Sequence, residues 1–77
     1  MERQELGSRL LYEGLAGYDV LELQMILESL GYDPGPIDGI FGPRTKKAVM
    51  KFQRDNGLKV DGIVGPETMK VIRMLVP

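Results

Sequence analysis

A chain of 77 residues, 43% hydrophobic and 27% charged, makes one small domain, of a size that buries only about 60% of its unfolded surface. Its formal net charge of −1 argues against a dedicated nucleic-acid binder, which carries a basic excess. With no cysteine and no histidine, it has no disulfide, thiolate nucleophile, imidazole base or Cys/His zinc site.

The apolar stretches are only a few residues long, too short for a transmembrane helix. Met1-Glu2-Arg3-Gln4-Glu5 lacks the basic start and apolar run of a signal peptide. The chain is therefore expected to be intracellular or a module of something larger. Residues 1–17 mix charges with Leu10, Leu11, Tyr12 and Leu15 among glycines, and read as an irregular lead-in whose later end packs on the core. Residues 18–76 form the domain proper.

The first helix is expected to open at Asp19, with Glu22 three residues on as a capping box. Val20, Leu23, Ile26, Leu27 and Leu30 share one face, and Gly31 stops the run. Leu21 and Met25 lie opposite, a second apolar strip that the lead-in leucines are expected to cover. Tyr32-Asp33-Pro34-Gly35-Pro36 is irregular. A second helix starts at Pro43, where a missing N–H costs nothing, and runs to about Asp55. Its core face is Thr45, Ala48, Val49 and Phe52, and Asn56-Gly57 ends it. A third starts at Pro66 with core face Thr68, Val71, Ile72 and Leu75.

Those last two helices belong to a repeated unit. Asp38-Gly39-Ile40-Phe41-Gly42-Pro43-Arg44-Thr45 returns 23 residues later as Asp61-Gly62-Ile63-Val64-Gly65-Pro66-Glu67-Thr68. Self-similarity at a fixed period defines a building unit, here an Asp-Gly turn followed by a Gly-Pro helix start. The fold class expected is all-α: a compact three-helix bundle with two Asp-Gly-x-x-Gly-Pro repeats, and at most a few residues of extended pairing around the turns.

Glycine supplies the positive φ of a tight turn. Gly42 and Gly65 occupy cap positions without a side-chain acceptor, so Asp38 and Asp61 are expected to substitute as caps; the open helix starts suit a carboxylate or phosphate. A calcium loop would need oxygen ligands at alternate positions before the glycine, and Pro34 to Ile37 and Leu58 to Val60 supply none. Arg44, Lys47, Lys51 and Arg54 fall within about a quarter of the second helix's circumference, as a solvated face or an attraction for a polyanion. Gln24 and Gln53 sit beside core positions, placed to satisfy the backbone of a neighbouring loop or a ligand amide. Tyr18 and Tyr32 offer flat faces for a sugar ring or for the core. No arrangement of groups looks catalytic.

The run from Asp19-Val20-Leu21-Glu22-Leu23-Gln24 to Leu30-Gly31-Tyr32, the two repeats, and Ala48-Val49-Met50-Lys51-Phe52-Gln53 between them together resemble the peptidoglycan-binding-domain type 1 family over residues 17–75. The resemblance implies a non-catalytic three-helix module, without cofactor or metal, that holds an attached cell-wall hydrolase on peptidoglycan outside the cytoplasm. Its partners would be the glycan or stem peptide and the attached catalytic domain; nucleic acid and membrane are not expected, and the module would be a monomer. Tyr32, Asp38, Ile40, Phe41, Arg44 and Asp61 are expected to border the site, with Gln24 and Gln53 as supports. One departure is Met69, where the family often has Trp. A second reading is a protein-interaction module that uses Leu21, Met25, Met69 and Met74 as an exposed patch.

Overall fold

Three helices form where the apolar spacing and the glycine stops dictate. The computed structural model describes residues 5–76. Helix α1 spans Tyr18–Ser29, α2 Pro43–Asp55 and α3 Pro66–Leu75, with no strand among the described residues. Both Pro43 and Pro66 stand at helix starts. The ends of α1 and α2 share one device. Past α1, Gly31 (φ 92°) lets Tyr32 N–H reach Leu27 O at 2.9 Å, and past α2, Gly57 (φ 68°) lets Leu58 N–H reach Gln53 O at 2.9 Å.

The core is drawn from every segment. Val20, Leu23 and Leu27 of α1, Ala48, Val49 and Phe52 of α2, and Met69 and Ile72 of α3 are buried. Phe41 and Val64, at equivalent places in the two repeats, and Leu11 of the lead-in complete it. Tyr32 packs edge-on against Phe52, with ring centroids 5.6 Å apart.

The lead-in is a strap across both Asp-Gly turns. Leu11 pairs with Val64 through two backbone hydrogen bonds of 3.2 and 2.8 Å. Further along, Gly14 and Gly17 donate to Phe41 O and Gly39 O at 2.9 Å each, and Phe41 N–H donates to Leu15 O at 2.8 Å. One short stretch of backbone therefore ties the two repeats together, and these are the few extended pairings that the turns allow.

Expectations about α1 and α3 need correction. Asp19 is not the cap of α1: the helix starts one residue earlier, behind Gly17, which makes no side-chain cap bond. The Asp19 carboxylate is fully buried and takes a two-pronged contact from Arg9, at 2.8 and 3.0 Å, plus its neighbour Val20 N–H at 2.9 Å. A guanidinium fork fits a carboxylate better than one backbone N–H does, so the partner ten residues upstream wins. Nor does Leu75 belong to the core, being half-exposed; α3 turns Met69 inward instead. That removes Met69 from the exposed patch of the second reading. Leu21 is itself half-buried, which leaves only Met25 and Met74 strongly exposed. No helix among the described residues is long and apolar enough to cross a membrane.

Candidate functional site

Each repeat is organised around one buried glutamine. Gln24 accepts the backbone N–H groups of Asp38 and Gly39 at 3.1 and 2.9 Å. Its amide nitrogen donates to Ile40 O at 2.9 Å, Thr45 Oγ1 at 3.0 Å and Asp38 Oδ1 at 3.3 Å. Gln53 repeats the set on Asp61, Gly62, Ile63 and Thr68, at distances between 2.9 and 3.2 Å. A primary amide is the one neutral side chain that brings two donors and an acceptor to such a turn. Reaching back from the preceding helix, it pins the turn that launches the next one.

The aspartates act inside the turns rather than as helix caps. Asp38 Oδ1 accepts Ile40 N–H, and Asp61 Oδ1 accepts Ile63 N–H, at 2.9 Å each. The carboxylate is thereby committed to the residue two positions on, and α2 and α3 begin without any side-chain cap. Those same N–H groups, followed by the glutamine amides, hold both carboxyls below the usual carboxylate range.

Two grooves on the surface meet at the start of α2. The larger, of about 590 Å³, lies between the Tyr32-Asp33 loop and α2, and is lined by Tyr32, Asp33, Arg44, Lys47, Lys51 and Arg54 over Ala48 and Met50. The smaller, of about 210 Å³, wraps the start of α2 between Pro34, Pro36, Asp38, Ile40 and Arg44. Arg44 is the wall common to both. Its guanidinium rests 2.6 Å from the Asp33 carboxylate. Both groups are largely exposed, so water competes for each and the pair is loosely held. Asp33 is held below its ordinary pKa first by Gly35 N–H and then by Arg44. Tyr32 is raised, by burial first and then by donating to Asp55 at 2.8 Å.

Of the residues expected to border a site, Tyr32, Asp38, Ile40 and Arg44 come together around these two grooves. Asp61 does not join them; it lies in the equivalent surface of the second repeat with Leu58, Ile63, Pro66 and Glu67. There Glu67 takes the place of Arg44, which reverses the charge at the helix start. Phe41, Gln24 and Gln53 are buried, and support the surface from beneath. The sequence reading did not single out Asp33, whose role depends on a partner eleven residues away.

Matching over residues 16–72 is the family described as "Putative peptidoglycan binding domain", and the chain belongs to it. It is 46% identical over 57 residues to the N-acetylmuramoyl-L-alanine amidase CwlM of Mycobacterium tuberculosis, covering 69% of this chain and 14% of the amidase. To the spore cortex-lytic enzyme of Bacillus subtilis it is 44% identical over 52 residues, covering 68% of this chain and 17% of the enzyme. Among solved structures, the SleB N-terminal domain superposes with a TM-score of 0.85 at 36% identity, over 91% of this chain and 96% of that one. The Burkholderia AP3 phage endolysin gives 0.80 at 42% identity, over 84% of this chain and 25% of the endolysin. The chain thus spans under a fifth of each of the two curated relatives named.

Proposed function

We propose that the chain is a non-catalytic module that holds an attached cell-wall hydrolase on peptidoglycan, outside the cytoplasm, as a monomer. Membership of the peptidoglycan-binding family over residues 16–72 carries this reading, and the two named relatives, an N-acetylmuramoyl-L-alanine amidase and a spore cortex-lytic enzyme, are proteins of which this chain matches only a small part. The ligand meets the module at the start of α2. There Arg44 faces two grooves, and its tie to Asp33 is exposed enough to be exchanged for a ligand carboxylate. Stem peptides supply such carboxylates. Ile40, more than half exposed, and the half-buried Tyr32 ring give apolar surface for a sugar face or a peptide side chain. Asp61 marks the corresponding surface of the second repeat, where Glu67 favours a neutral or cationic part of the polymer.

The test is retention on purified sacculi stripped of their phosphate polymers. The chain should sediment with them, and Arg44→Glu should lower retention at least fivefold while leaving the thermal midpoint within a few degrees. Wild-type protein staying in the supernatant refutes the proposal.

A further inference from the structure

Charge is sorted between the helices in a way that the peptidoglycan reading leaves unused. Five of the chain's ten Lys and Arg residues, Arg44, Lys46, Lys47, Lys51 and Arg54, lie on the thirteen residues of α2, against one acid, Asp55. Helix α1 has no cation and carries Asp19, Glu22 and Glu28. Arg44 is tied to Asp33, Lys46 approaches Glu13 at 3.9 Å, and Asp55 accepts from Tyr32. Lys47, Lys51 and Arg54 have no ion-pair partner among the described residues, and all three are exposed.

Those three cations form a file. Steps of four and three residues on a helix are rises of about 6 and 4.5 Å, with all three side chains within about 60° of one another around the axis. They line the larger groove, where among the described residues the one acid is Asp33, already matched by Arg44, and no residue of α1 takes part. A single file of unmatched cations, with rises of about 4.5–6 Å between them, along an open groove suits a thin linear polymer that bears a charge at every repeat. Scattered carboxylates of a branched ligand would leave most of the file unused.

We propose that Lys47, Lys51 and Arg54 make the α2 side of the larger groove a binding surface for a second ligand, a linear polyol-phosphate chain joined by phosphodiesters. A phosphodiester stays ionised at any pH the wall experiences, and each cation meets one phosphate as a point charge or a fork. The choice of a wall polymer as the source of that chemistry rests on the peptidoglycan reading; the match of charge does not. A nucleic-acid duplex fits less well, because its two backbones flank a groove about 12 Å wide and the file is one residue across.

The experiment measures binding of fluorescent poly(glycerol phosphate) to the whole chain between 50 and 200 mM salt. Wild-type affinity should fall about 15–20-fold over that range, from a slope of about −0.7 for each of three phosphates. The triple variant K47Q/K51Q/R54Q should bind at least tenfold more weakly at 50 mM and lose most of the salt dependence, with an unchanged circular-dichroism spectrum. No wild-type binding, or equal binding by the variant, overturns the proposal. Tighter binding to a duplex DNA of equal charge overturns it in favour of nucleic acid. Wild-type retention on phosphate-stripped sacculi is read separately: its loss refutes the peptidoglycan reading and leaves polymer binding to stand or fall on its own.

Discussion

Replacing Gln53 by leucine removes the pin from the second turn while nearly preserving volume. Three backbone groups lose their partner: the buried Gly62 N–H, the part-buried Asp61 N–H and the Ile63 carbonyl. An orphaned buried group costs about 1–3 kcal/mol. Taking about 2 for Gly62 and about 1 for each of the others, less about 1 regained by burying a more apolar side chain, the net loss is about 3 kcal/mol. A domain of this length has about 4–12 kcal/mol in total, so the variant sits near the edge of folding. Its thermal midpoint should drop by about 12–24 °C. Urea unfolding followed by far-ultraviolet circular dichroism reads the loss directly, and a value under 1 kcal/mol would refute the pinning role. Gln53→Glu sharpens the test. The introduced carboxylate keeps both acceptor bonds but faces Asp61 Oδ1 and Ile63 O, which holds its pKa above the usual value. Its destabilisation should therefore be full at pH 7 and be relieved as pH falls through that raised value; Gln53→Leu should show no such relief.

The two turn glycines should separate. Gly39 (φ 77°) and Gly62 (φ 73°) both need the left-handed conformation, which costs an alanine about 1–2 kcal/mol. An added Cβ at position 39 meets the Gly17 carbonyl oxygen at 3.2 Å, whereas at 62 it meets only the flexible Lys46 side chain at 3.0 Å. Gly39→Ala should accordingly unfold at lower urea than Gly62→Ala. Arg9 and Asp19 should be unequal partners. Arg9→Met strands a buried carboxylate, while Asp19→Asn leaves a guanidinium that water can reach, so the midpoint should fall further for Arg9→Met. In the wild type, Arg9 lowers the Asp19 pKa; that stability is complete above the unfolded value near 3.9 and is lost as pH falls through the folded one. In Arg9→Met the unpaired carboxyl titrates high, and stability should instead rise between pH 7 and 5. Met69→Ala should cost about 2–5 kcal/mol as a core cavity, which a methionine lying on the surface would not.

Features with a period were legible from the chain. The faces of α1 and α2, both glycine stops and both proline starts follow from local spacing. The glutamines were flagged beside core positions because an amide there must answer loop backbone. What stayed hidden depends on partners remote in sequence. Asp19 looks like a cap until Arg9 is folded against it, and Asp38 has the same offset from its helix whether it caps α2 or closes its own turn. Met69 and Leu75 are both apolar, and helical spacing alone does not say which is covered; Met69 lies against the lead-in at Gly7 to Leu10, a contact remote in sequence, while Leu75 is left half-exposed. Of the candidate surface, the charges of α2 were visible as a stripe, but the loop that turns them into a groove bends back through Pro34 and Thr45, whose hydroxyl donates to Pro34 O at 2.8 Å, and no periodicity announces that.

The amide pin also makes the chain a grammar that can be continued. Counting 23 residues on from Phe52-Gln53 arrives at Leu75-Val76, where a third rung would place its glutamine. Val76 has no amide with which to hold another turn, although its backbone N–H still closes α3 on Ile72 O at 3.1 Å. A designer wishing to lengthen the module would change that valine to glutamine and continue from position 77 with the helix end, turn and helix copied from residues 54–75. The half-exposed Leu75 would then acquire the burial that Phe52 already has, and binding surfaces could be added one rung at a time.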